Sequence, residues 1–400
     1  MKCNWKEKRL ADITDFNPKE SIRKGTIAKK IPMDVIRPFC RDIPEFVMEP
    51  FNGGSKFRND DTIMARITPC LENGKISKVN ILEDEEVGFG STEYIVFRAR
   101  KDVTDSDFLY YLVCSSLVRE PAIKSMVGSS GRQRVQTDVV KNIIVKVPSL
   151  ECQKKIGSLL CSIDDKIALN NKINNNLLQQ ANALFDNAIH RSASISYVKL
   201  GSLADVKGGK RLPKGVNLIT ASNSHPYIRV RDLNNTVFAS LSTEYEYVDD
   251  ETQKSISKYV VSTNDVLISI VGTIGLTAIV DHTLDKANLT ENCVKLTNIK
   301  RVTPEYLLLF LRSSQGTEAI SKGTVGAVQL KLPIKNIQSI SVPLLDIKEL
   351  QSLDEVLSAI FSQISSNIVE AKQLADIRDT LLPKLMSGEL DATEIGILSH

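Results

Sequence analysis

The sequence predicts an α+β fold: two tandem mixed α/β domains, each followed by a long helix. The two helices are expected to pair antiparallel as a coiled coil, giving a pseudo-two-fold internal repeat. Three observations carry this. The 400 residues are too many for one ordinary core. Short motifs recur in the same order roughly 195 residues apart. Two heptad ladders follow them: Ile156, Ile163, Asn170, Leu177 and Leu184, then Leu353, Ile360, Asn367, Leu374 and Leu381.

The echoes run in chain order. Leu10-Ala11-Asp12-Ile13 is matched by Leu203-Ala204-Asp205-Val206. Asn59-Asp60-Asp61-Thr62-Ile63-Met64-Ala65 is matched by Thr263-Asn264-Asp265-Val266-Leu267-Ile268-Ser269, each a polar turn feeding an apolar strand. Thr92-Glu93 before Tyr94 to Phe97 parallels Thr290-Glu291 before Asn292 to Leu296. Thr104 and Thr303 are the expected N-caps of core-facing helices through Phe108 to Leu112 and Leu307 to Leu311. Lys141-Asn142-Ile143 pairs with Lys335-Asn336-Ile337, and Val147-Pro148 with Val342-Pro343. The expected boundaries are a first domain at 1–148, a helix at 149–191, a second domain at 192–343, and a helix with tail at 344–390.

With the ladders at d, the a positions are Leu160, Ile167, Asn174 and Ala181 in one helix, and Leu357, Ile364, Ala371 and Arg378 in the other. A seam Asn disfavours registers that set it against Leu, so Asn170 and Asn367 are expected to meet near the middle of the helix pair and fix its register. The alternative is that both are solvated residues on separate helices. At 1.5 Å per residue, about 38 residues give a rod of roughly 55–60 Å, one to two turns of duplex DNA.

Composition narrows the class. Hydrophobic content is 42% and charged content 25%, as in soluble globular proteins. No run of about 18 apolar residues suggests a membrane span, and the first ten residues lack an apolar signal core. Seven cysteines without CxxC spacing predict free thiols in a reducing compartment, the cytoplasm, rather than a zinc site or a disulfide framework. Charge is partitioned: residues 1–146 hold 25 Lys+Arg against 21 Asp+Glu, residues 198–334 hold 16 against 13, and residues 335–400 hold 5 against 10. Mildly basic globules beside an acidic helix fit a polyanion partner, and fit ordinary solvated surface equally.

Catalytic signatures are missing. No Pro-Pro-aromatic turn for base methylation occurs, and no Pro-Asp begins a nuclease set. Glu370-Ala371-Lys372 lies on the second helix and reads as a surface pair. Gly209-Lys210 is not a phosphate-binding loop, because Ala204 stands where the first Gly is required and Arg211 where Ser/Thr is. His190, His225, His282 and His400 are scattered without ligand spacing. The chain is therefore expected to be non-catalytic and metal-free.

The tandem globule-plus-helix plan, the helix start from Pro148 to Gln153, and the ending Leu381-Leu382-Pro383-Lys384-Leu385-Met386-Ser387-Gly388-Glu389-Leu390 resemble the specificity subunit of type I restriction–modification enzymes. Asp61 to Lys75 with Gly90 to Val96 is similar to one class of target recognition domain, and Gly208 to Gly215 with Asp265 to Gly275 to another. One departure is Lys348 where the first copy has Gln153. The resemblance implies a DNA-reading subunit whose two recognition domains each read half of a split, asymmetric duplex site. It implies helices that set the gap and dock two methyltransferase subunits using S-adenosylmethionine, with motor-nuclease subunits using ATP and Mg joining them. No cofactor is expected in this chain itself. A different class, a two-domain coiled-coil adaptor that binds proteins, stays open; a fused restriction–modification polypeptide is disfavoured by the missing motifs.

Base edges are read by planar bidentate groups and phosphates by cations or loop donors. In the first domain these are Arg66, Asn73 and Lys75, then Ser91 and Thr92, then Arg132, Gln133, Arg134 and Gln136 in the loop from Ser129. In the second they are Lys207, Lys210, Arg211 and Lys214, then Arg229 and Arg231, and Thr273, Asn292, Lys322 and Gln329. Arg229 and Arg231 alternate with Ile228 and Val230, which predicts one face of a strand, although Asp232 is placed to pair with either.

Overall fold

The computed structural model describes residues 3–391 except 130, 235, 243, 244, 327 and 328. The described residues divide into one unit of 3–171 with 369–391 and a second of 172–368, so the division falls within both long helices, Leu150–Arg191 and Ile347–Ser387.

The first unit is entered and left through one antiparallel ribbon, Lys6–Arg9 against Ile144–Val147. Its central sheet is antiparallel in the order Thr14–Phe16, Tyr94–Ala99, Thr62–Ala65, Ile76–Lys78. The strand TIMA at 62–65 is buried at every position because both faces are covered, hence an apolar run rather than an alternation. One face packs on the helix Ser106–Cys114; the other contributes Ile63 and Val96 to a smaller core with Ile31, Ile36 and Phe57. A second sheet, in the order Val47–Pro50, Ile27–Ile31, Gly88–Gly90, Lys56–Phe57, supplies that core.

The second unit repeats the plan. Its ribbon is Ser196–Lys199 against Ser341–Leu344. Its main sheet runs Asp205–Gly208, Cys293–Thr297, Val266–Ser269, Thr277–Val280, and adds Phe238–Ala239 in parallel. The echoed turns do the same job in both units. Asp60 and Asn264 take left-handed backbone at φ 69° and 70°, which short polar side chains tolerate. Asp61 and Asp265 then accept the backbone N–H three residues earlier, at 2.8 and 2.9 Å, and pair with Arg98 and Lys295 on the neighbouring strand.

The helix junctions show where like plans diverge. Gln153 is buried; its amide donates to the carbonyls of Val103 and Pro148 and its oxygen accepts from the Asp105 N–H. In the second unit, where Lys348 replaces Gln153 in the motif, the Tyr306 hydroxyl bonds the Pro343 carbonyl instead, at 2.7 Å. Thr303 caps its helix as expected, whereas Thr104 does not. Asp105 accepts from the N–H groups of Asp107 and Phe108, and the Thr104 hydroxyl donates to Ile13 instead. A carboxylate accepts two orphan N–H groups better than a hydroxyl. Gly157 lets the long helix approach this cap: a Cβ there lies 2.9 Å from the Asp105 carboxylate and 3.0 Å from the Phe108 nitrogen.

Within each unit the long helices run antiparallel. In the first, Asp164 meets Arg378 and Asn170 meets Glu370; in the second, Asn174 meets Asn367 and Ser192 meets Glu349. The two central asparagines therefore take different partners from those the ladder predicts. Asn170 donates to Glu370 at 2.7 Å, and Asn367 donates to the Asn174 oxygen at 2.8 Å. Ile156 and Ile163 are buried on the ladder, but Leu184 is 38% exposed while Phe185 is buried. The seam drifts because an undistorted helix turns every 3.6 residues, not 3.5.

The all-free-thiol expectation is overturned. Cys3 and Cys152 form a disulfide, since the chain leading into the first ribbon lies beside the start of the first long helix, with Cα atoms 6.0 Å apart. A separation of 149 residues leaves no spacing motif to signal it. The other five cysteines are free.

Candidate nucleic-acid interface

Each main sheet ends in a set of loops stitched together by backbone hydrogen bonds. In the first unit the chain leaves the strand Thr62–Ala65 at Arg66, whose N–H donates to the Glu93 carbonyl at 2.9 Å. The Arg66 carbonyl accepts from Val135 at 2.8 Å, and Thr68 donates to the Gln133 carbonyl at 3.0 Å. Val127 and Arg134 exchange both backbone hydrogen bonds and close the loop between them. Five predicted residues, Arg66, Ser91, Thr92, Gln133 and Arg134, thus share one sheet end.

The centre of this set is Glu93, which the sequence reading did not single out. Its carboxylate accepts the Nε and Nη2 of Arg134 at 2.7–3.0 Å and faces the Arg66 Nε at 3.6 Å. The Arg134 hydrogen bonds hold Glu93 below the usual carboxylate range. The Ser91 hydroxyl accepts the Glu93 N–H at 3.1 Å, so its oxygen is a positioning group here. Arg132 projects from the loop tip, exposed, with no side-chain partner among the described residues. Gln136 is exposed at the cap of the helix Thr137–Lys141, and Asn73 is exposed on the turn after the Thr68-Pro69 bond. Lys75 differs: it is half-buried and its ammonium donates to the Met33 carbonyl at 2.8 Å, anchoring a loop. Ser130 lies outside the described residues.

The second unit builds the same frame from other side chains. Ile270 donates to the Asn292 carbonyl at 2.8 Å, Leu332 donates to the Ile270 carbonyl at 3.0 Å, and Val325 and Lys331 exchange both hydrogen bonds. Asn292 therefore stands where Glu93 stands, and Glu291 where Thr92 stands. The motif match of Thr92-Glu93 to Thr290-Glu291 is one residue out of register, because Tyr94 and Cys293 are the equivalent strand starts, paired with Ala65 and Ser269. Asn292 is half-exposed, and its side-chain amide has no partner among the described residues.

Glu291 pairs with the exposed Arg211 at 3.2 Å. Arg211 reaches it because the chain crosses the sheet end closely at Gly209, where a Cβ lies 2.0 Å from the Thr290 oxygen. Only glycine fits that crossing. Lys210 lies over the Tyr259 ring at 5.4 Å, Lys214 is exposed on the following turn, and Lys207 pairs with Asp205 at 3.5 Å. The Thr273 hydroxyl is on an exposed turn whose carbonyl accepts from Ser269. Gln329 is exposed beside Lys331, and Lys322 is tied to Glu318 at 2.6 Å on a helix.

Arg229 and Arg231 do not share a strand face. The strand ends at Ile228, and Val230–Leu233 is a 3-10 turn capped by Asp232. Arg229 is mostly buried in ion pairs with Asp232 and Glu246; Arg231 is exposed and faces the same two carboxylates. Asp232 outcompetes strand geometry by accepting the Arg229 N–H at 2.7 Å. Lys331, absent from the sequence-based set, occupies the Arg134 position and is exposed. Its signal was the repeated Val…cation-apolar order, Val127…Arg134-Val135 against Val325…Lys331-Leu332, blurred by unequal loop lengths. No described helix is long and apolar enough to cross a membrane.

The family model described as type I restriction modification DNA specificity domain matches residues 2–179 and again residues 195–378. The chain is 22% identical to the type I restriction enzyme HindI specificity subunit of Haemophilus influenzae, over 97% of this chain and all of that one. It is 24% identical to the MjaIX specificity subunit of Methanocaldococcus jannaschii, covering 74% of this chain and 71% of that one. The fold is shared with the type I restriction–modification S subunit of M. genitalium, with a TM-score of 0.57 at 14% identity and 96% of each chain covered. Two successive matches, each taking in one globule and most of its long helix, place the chain in the family of type I restriction modification DNA specificity domains.

Proposed function

We propose that this chain is the subunit that selects DNA for a type I restriction–modification complex, each unit reading one half of a bipartite asymmetric duplex site through the loops at its sheet end. The observation that carries the reading is the pair of like backbone frames bearing unlike polar side chains, Arg66, Glu93 and Arg134 in one and Asn292 and Lys331 in the other. Conserving the frame keeps the loops placed; changing the side chains changes what they hydrogen-bond. Arg132, Lys210, Arg211 and Lys214, all exposed, supply phosphate contacts.

The long helices set the distance between half-sites and dock two methyltransferase subunits. The helices carry exposed apolar residues, Leu169, Val369 and Ile377 on the first unit and Ile347, Val356 and Leu184 on the second. S-adenosylmethionine, ATP and Mg belong to the partner subunits, and this chain contributes recognition without chemistry. The test is binding of the chain with its methyltransferase subunits to duplex DNA across a salt series. A steep fall of affinity with salt, as phosphate-bound counterions return, supports the reading. Indifference to duplex DNA at low salt sinks it and leaves the protein-binding adaptor.

A further inference from the structure

We propose that two equivalent positions fix one base pair of each half-site: Arg134, held by Glu93, selects guanine–cytosine for the first unit, and Asn292, beside a phosphate-binding Lys331, selects adenine–thymine for the second. The inference rests on the DNA-reading function and goes beyond it to chemistry.

The two pairs occupy equivalent backbone positions. Residues 93 and 292 each present a carbonyl to the residue that leaves the central strand, and residues 134 and 331 each close a loop with a double hydrogen bond to a valine. In the first unit Glu93 takes the Nε–H and one Nη2–H of Arg134. A guanidinium has five N–H groups in one plane, so its far edge keeps Nη1–H and the second Nη2–H side by side. That edge matches the two acceptors, O6 and N7, that guanine presents in the major groove. Glu93 fixes the edge before DNA arrives, so less side-chain freedom is lost on binding.

The second unit cannot do this. Asn292 carries no charge to hold a guanidinium, and Lys331 has no planar fork. The unpartnered Asn292 amide instead offers one donor and one acceptor in a plane, the complement of adenine N7 and N6. Lys331, exposed and without a side-chain partner among the described residues, suits an adjacent phosphate as a point charge. The neighbouring positions agree: Arg66 adds a second cation facing Glu93, whereas its equivalent Ile270 is buried in the core.

The experiment is methylome sequencing of cells carrying the full chain with its methyltransferase subunits. Asn292→Glu with Lys331→Arg transplants the first unit's pair into the second. The expected result is one adenine–thymine position of the second half-site becoming guanine–cytosine, with the first half-site and the gap unchanged. In vitro the preference at that position should reverse by about 5- to 150-fold, the range of one bidentate contact. An unchanged second half-site overturns the proposal while leaving the broader function standing. Failure of the wild-type complex to methylate any bipartite motif overturns the function instead. Should the double variant fail to fold, Lys331→Ala removes only an exposed side chain. It should weaken binding equally for all sequences and reduce the salt slope by about one. A base-selective loss from Lys331→Ala would also overturn the assignment.

Discussion

Replacing Arg378 by Ala isolates a buried charge in the first unit. Arg378 falls on the apolar seam of the second long helix, where its Nη1 donates to the Asp164 Oδ1 at 2.7 Å, and the Tyr111 hydroxyl donates to the other oxygen at 2.6 Å. Side-chain exposure is 13% for Arg378 and 7% for Asp164, so the carboxylate left behind is nearly dry. Removing one member of such a pair costs about 3–5 kcal/mol, mostly as the penalty of an uncompensated buried charge. Because the Tyr111 hydrogen bond survives, the lower end, about 3 kcal/mol, is expected. The chain has a single tryptophan, Trp5, packed on the core of this unit, so its fluorescence follows unfolding of the first unit alone. With a urea slope of about 2 kcal/mol per molar, the midpoint should fall by about 1.5 M. Arg378→Met with Asp164→Leu removes both charges and should recover part of that loss, the buried Tyr111 hydroxyl then lacking its acceptor. A midpoint shift under about 0.3 M for Arg378→Ala, or a double variant less stable than the single, refutes the argument.

Four further outcomes are expected. Gly157→Ala forces the first long helix off the Asp105 cap and should lower the same Trp5-detected midpoint by roughly 1–3 kcal/mol equivalent. Glu20 is held below the usual carboxylate range by the Arg58 hydrogen bond, with Arg98 adding to it. A carboxylate with a depressed folded pKa stabilises above its unfolded value and loses that contribution as pH falls through the folded one. Urea midpoints should therefore drop below about pH 4.3, and Glu20→Gln should flatten that drop. Arg132→Ala should reduce the salt slope of DNA binding by about one without altering the methylated sequence, as read by titration and methylome sequencing. Deleting one heptad from each long helix should shorten the gap between half-sites and leave both half-site sequences intact; altered half-sites count against the helices as spacers.

Much of the architecture was legible because it is written in spacing. The apolar strands, the polar turns that feed them at Asp60 and Asn264, and the two long helices all follow local rules. What failed depended on competition between neighbours. Asp105 displaced Thr104 as a cap because it accepts two N–H groups at once. Asp232 ended a strand that the alternation of Arg229 and Arg231 suggested. Phe185 replaced Leu184 in the seam because helix drift is invisible to a seven-residue count. Within the candidate interface, Arg132, Arg134 and Asn292 are legible as planar donors on loops, the first two exposed and Asn292 half-exposed. Glu93 was missed because it works by holding an arginine, and Lys331 because a shorter loop hid its equivalence to Arg134.

The paired ribbons carry a consequence of their own. Lys6–Arg9 lies against Ile144–Val147 and Ser196–Lys199 against Ser341–Leu344, so each reading globule begins and ends at the same doorway. Whatever lies between those strands is a cassette on a two-pronged plug. An unrelated globule with the same prongs can be inserted without altering the phase of either long helix, because the chain re-enters where it left. Under the proposed function, exchanging one gene segment would supply a new half-site while leaving both long helices unchanged.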